Sequence, residues 1–272
     1  MKFPELLSVL QRPLLIRPSS HASYLQMFAD HAEKTREDFR AERPLKDFCG
    51  AEMPQAENVG GIFYLPIGGP MGRGLGEFEK LCGAVDYGDI IEELDQFEED
   101  EMARAAILNF DSPGGMCQGL GAVRERIAAL DKPVHAFSAG MVCSAAFDMA
   151  IACDGFWTSA DADVGCIGVY CYALDRSAQY ADAGLKPIVV SSGKYKAMGA
   201  PGMPYTKDQI ELLQSEVDDL SEEFFLRVEE ARGKENVSRE DFQGQSFTGK
   251  RALEKGLIDG VVGSIEDVAA ML

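Results

Sequence analysis

Three groups of residues in this chain are of types and spacings that could do chemistry together. In "FSAGMVCSAAFDMAIACD", residues 137–154, Ser144 sits amid Ala, Gly, Ser and Cys. A strand ending near Phe137 or Ser138 and a helix starting near Ser144 would put its hydroxyl where a helix leaves N–H groups unpaired. That hydroxyl is either a plain N-cap or a nucleophile. As a nucleophile it would have the N–H of Ala145 beside it to hold a developing oxyanion. In "LNFDSPGG", residues 108–115, an apolar strand runs into Gly114 and Gly115. This is either a tight turn or a place where backbone N–H groups face an anion, supplying a second oxyanion donor. In "VVSSGKYKAMGAP", residues 189–201, Lys194 and Lys196 follow an apolar run and precede a Gly/Pro turn. On a continuing strand both would share a face.

A serine nucleophile needs a base, and the chain has only three histidines, His21, His31 and His135. His135 falls within an apolar strand and reads as a sheet residue, while His21 and His31 lie far upstream. A lysine remains. Burial can lower an amine from about 10.4 toward the ~7–8 useful to a base; left on the surface, the same lysines are only strand-end charges. Cys143 is a rival nucleophile, but nothing in its neighbourhood activates a thiol. The seven cysteines, at 49, 82, 117, 143, 153, 166 and 171, form no C-x-x-C pair. They read as reduced core residues with no metal framework, and neither a metal nor a cofactor is expected.

Forty-five acidic residues against 26 basic ones give a formal charge of −19, the wrong sign for a surface that neutralises phosphate, so nucleic acid is not an expected partner. The start, "MKFPELLSVLQRPLLIRPSS", is broken by Glu5, Arg12, Pro13 and Arg17. Neither a signal-peptide core nor a membrane span is expected there or later, and the expected location is the cytoplasm.

The elements that must position these residues follow from periodicity. Residues 1–55, punctuated by prolines, read as an N-terminal extension. Beyond it, strands are expected at 59–67, 104–110, 132–138, 155–159, 166–174 and 186–192, and helices at 88–100, 118–131, 143–154 and 176–185. A long helix over 206–233 opens on a Thr206/Gln209 capping box. It carries Ile210, Leu213, Val217, Leu220, Phe224 and Val228 on one face, to cover the core or to meet another subunit. A further helix, a short strand and a closing helix end the chain. Strands alternating with helices predict an α/β fold with a largely parallel sheet.

With "DSPGG", "MVCSAAFDMA", "GCIGV", "SGKYKAMGAP" and "FTGKRALEKGLIDGV" in this order, residues 59–265 resemble the signal peptide peptidase A family of serine peptidases, and within it the tailed-phage head maturation proteases. The resemblance implies a Clp protease/crotonase-like fold over residues 56–272 and a Ser/Lys dyad. Ser144 is then the nucleophile, Lys196 rather than Lys194 the base, and Gly114 and Gly115 part of the oxyanion hole with Ala145. It implies protein or peptide substrates, phage scaffold and capsid proteins among them, and a homo-oligomeric ring in which neighbouring protomers complete the dyad. The activity is then phage head maturation, in a host cytoplasm or a phage prohead, or that of a soluble signal-peptide-peptidase-like protease. Bacterial membrane-bound members carry an N-terminal anchor that this start does not resemble, and phage members often carry a C-terminal scaffolding segment, so a stand-alone version is expected. Where bacterial members often have glycines after the nucleophile, this chain has Ala145 and Ala146. Asp148, one turn on, is expected to point away from the dyad, toward solvent or a salt bridge, because a facing carboxylate would favour a charged lysine. Two other readings share the architecture: a crotonase-like acyl-CoA enzyme, and an inactive relative serving as an assembly partner.

Overall fold

Short apolar runs that alternate with amphipathic helices can bury both faces of a strand only by stacking helices on a parallel sheet, and the computed structural model has that arrangement. It describes residues 13–31 and 55–272; the rest of the expected N-terminal extension, with Cys49, lies outside the described residues. The elements in chain order begin with β1 (Leu14–Ile16), α1 (Pro18–His31), β2 (Glu57–Val59), β3 (Ile62–Gly68), β4 (Met71–Gly72), α2 (Glu77–Leu81) and β5 (Val85–Asp86). There follow α3 (Tyr87–Glu99), β6 (Ala105–Asp111), β7 (Gly114–Met116), α4 (Leu120–Ala128), β8 (Val134–Ser138), β9 (Met141–Cys143), α5 (Ala145–Ala150), β10 (Gly155–Thr158) and β11 (Asp163–Gly165). The last are α6 (Ser177–Asp182), α7 (Lys207–Arg232), β12 (Ser246–Thr248), α8 (Gly249–Glu254), β13 (Gly260–Val261) and α9 (Ile265–Ala269).

The central sheet runs β13-β10-β8-β6-β3-β2, parallel throughout except for the antiparallel β2–β3 hairpin. β6 is its middle, and its apolar residues are buried on both faces. Asp86 caps α3 by accepting the Gly88 N–H at 2.7 Å, and the three- and four-residue steps of Tyr87, Ile90, Leu94 and Phe97 turn one stripe into the core. α4 contributes Leu120, Val123 and Ile127 to the same side. The opposite face of the sheet buries Ile62, Ala105, Ile107 and Phe137 against Val268 of α9. Two smaller sheets stand at the carboxyl ends of the central strands: β1-β7-β4-β5 and β12-β11-β9. β1 belongs to the segment read from sequence as an extension, yet it is buried within this body.

Two expected strands are not there. Over 166–174 only Tyr170 makes a bridge, to Leu14, and residues 186–192 form none. Apolar runs report a need for burial, and a strand also needs a partner for its backbone; among the described residues no strand pairs with 186–192. Ile188 and Val190 are 88% and 95% exposed. The long helix begins at Lys207 behind the expected capping box, but its apolar face is split. Phe224 and Val228 are buried, whereas Ile210 is exposed and the first half of α7 stands off the core with residues 171–206 as an arm.

Leu94, fully buried in the core cluster, tests the packing. Leu94→Ala is expected to lower unfolding stability by about 3 kcal/mol in a denaturant titration, through lost transfer energy and the cavity left behind.

Candidate functional site

Ser144 stands between β9 and α5, and no regular element continues through it. Its backbone is held at φ 56, and Cys166 at φ 52 is the other non-glycine residue at positive φ among the described residues. Such a conformation costs on the order of 1–3 kcal/mol and persists only where surroundings enforce it. Here the Ser144 N–H donates to Gly165 O at 2.7 Å, and its carbonyl accepts the Asp148 N–H at 2.8 Å. The strand on one side and the helix on the other fix the turn between them. The expected helix over 143–154 therefore starts two residues late, because Met141–Cys143 pairs with β11. Ser144 makes no side-chain cap bond, and its Oγ is buried without a hydrogen-bond partner. A hydroxyl in that condition is costly.

Gly114 and Gly115 lie directly against this turn. A Cβ on Gly114 would come 2.9 Å from the Ser144 Cβ and 2.2 Å from the Leu15 carbonyl oxygen; one on Gly115 would come 1.9 Å from Met71 O. Both positions require glycine, since backbone passes where a side chain would be. The Gly114 N–H donates to Ser112 Oγ at 3.2 Å, and that hydroxyl donates to Gly69 O at 2.6 Å. The main chain of Ser112 reaches β9: its N–H donates to Met141 O at 2.7 Å and its carbonyl accepts the Cys143 N–H at 3.1 Å. Ser112 thus locks the glycine strand to the strand that delivers Ser144. Tyr87, buried at the start of α3, donates from its hydroxyl to Met116 O at 2.7 Å and holds the far end of β7.

The small neighbours have a packing role. Ala145 and Ala146 are fully buried in the core cluster, where α5 lies close to β7 and β9. Asp148 is also fully buried and points away from Ser144 into an ion-pair cluster. Arg227 of α7 grips it through Nη2 at 2.8 Å and Nε at 3.1 Å, and Arg124 of α4 pairs with its other side. Of the two expected destinations, the salt bridge is the one occupied.

The rival nucleophile is held inert: burial pushes the Cys143 thiol far above its ordinary range, and its Sγ faces Asp163 O at 3.5 Å. His135 lies tilted against Trp157 at 5.3 Å between ring centroids, and burial lowers its pKa. His21 Nδ1 bonds the Tyr170 hydroxyl at 2.6 Å. Lys194 pairs with Asp208, which raises its pKa. Lys196 is exposed on the arm and makes no hydrogen bond to Ser144. A single chain therefore brings Ser144, Ala145, Gly114 and Gly115 together and leaves Lys196 apart. Sequence reasoning missed Ser112, Tyr87 and the identity of the two arginines, Arg124 and Arg227, that hold Asp148. The "DSPGG" motif contains Ser112, but nothing in the motif tells its hydroxyl from a turn residue.

A buried, strained serine thus stands at a strand-to-helix turn beside a glycine strand, on stacked β-α units. The chain belongs to peptidase family S49, a family of serine peptidases, whose profile matches residues 127–272. The Clp protease-type fold of repeated β-α units is the fold of that family. Among curated proteins, the capsid assembly protease C of Escherichia phage lambda is 29% identical over 215 residues, covering 78% of this chain and 49% of that protein. The head-tail preconnector protein GP5 of Enterobacteria phage P21 is 27% identical over 215 residues, 78% of this chain and 43% of its own. The chloroplastic serine protease SPPA of Arabidopsis thaliana is 28% identical over 76% of this chain and 31% of its own. The chain spans about half or less of the length of these relatives. A ClpP1 mutant from Listeria monocytogenes aligns with a TM-score of 0.48 at 14% identity, covering 75% of this chain and 92% of that one. No helix among the described residues is long and apolar enough to cross a membrane.

Asp148→Ala removes the anion that two arginines share. It is expected to cost about 3 kcal/mol of unfolding stability, as breaking a buried pair does, and circular dichroism melts of the variant against the parent measure it.

Proposed function

We propose that this chain is a serine endopeptidase in which Ser144 is the nucleophile and Lys196 the general base. The observation that carries the reading is the Ser144 turn: a strained backbone, a buried hydroxyl with no partner, and a glycine strand against it. Strain and an unpaired buried hydroxyl both cost stability, and both are features that catalytic nucleophiles retain. Ser144 Oγ attacks a peptide carbonyl while Lys196, as neutral amine, takes its proton and passes one to the leaving amine. The N–H of Ala145 and those of Gly114 and Gly115 receive the oxyanion, with Ser112 Oγ releasing the Gly114 N–H as the oxyanion forms. Water then hydrolyses the acyl-enzyme.

Within this reading Lys196 reaches Ser144 from a neighbouring subunit of a homo-oligomeric ring. The arm that bears it supports this, because its apolar side chains Leu174, Leu185, Ile188 and Val190 are exposed in the isolated chain. A second copy covering them would also desolvate the amine, and desolvation is what favours the uncharged form of a lysine. The substrates are proteins of a phage head, scaffold or capsid, in the host cytoplasm or the prohead. The names of the phage lambda and P21 relatives support that setting.

Ser144→Ala and Lys196→Ala are each expected to lower kcat on an unstructured protein substrate by at least ~10³-fold with a melting temperature no lower than the parent's; full turnover in either variant ends the mechanism. The double substitution Ile188→Asp with Val190→Asp is expected to reduce the assembled mass, measured by light scattering, and peptidase activity together.

A further inference from the structure

β1 lies across the face of the site. On one side it pairs antiparallel with the glycine strand β7, Leu15 opposite Gly115 and Ile16 opposite Gly114. On the other, Leu14 exchanges both backbone bonds with Tyr170, donating at 2.9 Å and accepting at 3.1 Å. The ladder continues at both ends: the Arg17 N–H donates to Pro113 O at 2.9 Å and the Cys117 N–H to Pro13 O at 3.4 Å. This three-residue segment is thus an added strand, held by main-chain bonds on both edges. All three of its side chains are buried. The carbonyl of Leu15 and the Cβ of Ser144 flank the same point beside Gly114, so the clearance this glycine provides is taken up by the β1 backbone. Two side-chain clamps hold the segment's exit: Arg17 pairs with Asp163 of β11, and His21 bonds Tyr170.

Strand addition is how many clefts take extended peptides: main-chain bonds supply affinity, and pockets for the side chains supply selectivity. We propose that β1 is an internal occupant of the cleft in which the peptide substrate binds. It closes that cleft to other chains until displaced, and it displays the class of substrate the cleft accepts. That class is an extended peptide with consecutive apolar residues, followed by a basic residue that Asp163 receives. The inference rests on the peptidase reading of Ser144 for the word substrate, but the cleft and its occupant are defined by backbone pairing alone.

The test is binding, read in full-length protein carrying Ser144→Ala so that no turnover intervenes. The probe is a fluorescein-labelled peptide with the sequence of residues 13–20, Pro-Leu-Leu-Ile-Arg-Pro-Ser-Ser, followed by anisotropy. Two further substitutions release β1 by different routes: Leu15→Pro removes a ladder N–H, and Arg17→Glu breaks the clamp to Asp163. An occupant that fills the cleft in nine molecules of ten weakens apparent affinity about tenfold, so each release is expected to tighten peptide binding by at least that factor. A control peptide with Asp in place of both leucines is expected not to bind. Thermal melts establish that the released variants are folded; if Leu15→Pro is not, Arg17→Glu decides. Folded, released variants that bind the peptide no better than the parent overturn the proposal. With Ser144 intact, the same releases are expected to raise turnover of an unstructured protein. Tight peptide binding without any Ser144-dependent cleavage would sink the peptidase reading and leave the occupied cleft standing. Cleavage by Ser144 with unchanged peptide binding after release would sink the cleft proposal alone.

Discussion

The backbone of Ser144 is bent into a conformation that an ordinary side chain avoids, and the rest of the site is arranged around keeping it there. A strand bond to Gly165 pulls on one side and the first turn of α5 on the other. Neither would suffice if the strand and the helix could drift apart. Ser112 prevents that drift for the strand by joining β9 to the glycine turn, and the Asp148 cluster prevents it for the helix by tying α5 to α4 and α7. The strain is small beside the burial energy of the surrounding core, which makes it sustainable.

Glycine at 114 and 115 is the second requirement, and its cause is proximity. The backbones of β1 and β4 flank that of β7 on its two sides there, Leu15 O crowding Gly114 and Met71 O crowding Gly115. A methyl group at either position would overlap a carbonyl. The two smaller sheets at the ends of the central strands can therefore meet only where residues without side chains occur in sequence, and Ser144 is delivered to that meeting point. The crowd of alanines after it continues the same logic, allowing a short helix to lie close on the strands.

Much of this was legible in the chain because it depends on local pattern. The apolar run Ala105–Phe110, the stripe of α3 and the Thr206/Gln209 box define their elements from neighbours a few residues away, and they occur where periodicity places them. The candidate nucleophile and glycine pair were legible from residue type. What was hidden depends on distant or absent partners. The sequence of residues 186–192 is strand-like, but a strand is a relationship, and no strand among the described residues pairs with it. Leu14–Ile16 is too short between Pro13 and Arg17 to show a period, and its role comes from residues a hundred positions away. Ser112 and the two arginines on Asp148 were invisible for the same reason: a hydroxyl or guanidinium declares no partner until the fold supplies it. The dihedral at Ser144 leaves no trace in composition at all.

One consequence concerns α7. A helix of 26 residues is about 39 Å long and stiff, and its two halves live in different surroundings: the first is at most half-buried, with Leu213 and Val217 facing Tyr170 and Tyr205 across a pocket, and the second is rooted in the core through Phe224 and Val228. Arg227, at the root, holds the carboxylate of the short helix that starts one residue past Ser144. α7 is in effect a lever whose fulcrum is the core and whose short end rests on the helix beside the Ser144 turn. No loop intervenes between the rooted half of α7 and the helix that opens at that turn: the Arg227 guanidinium joins them directly.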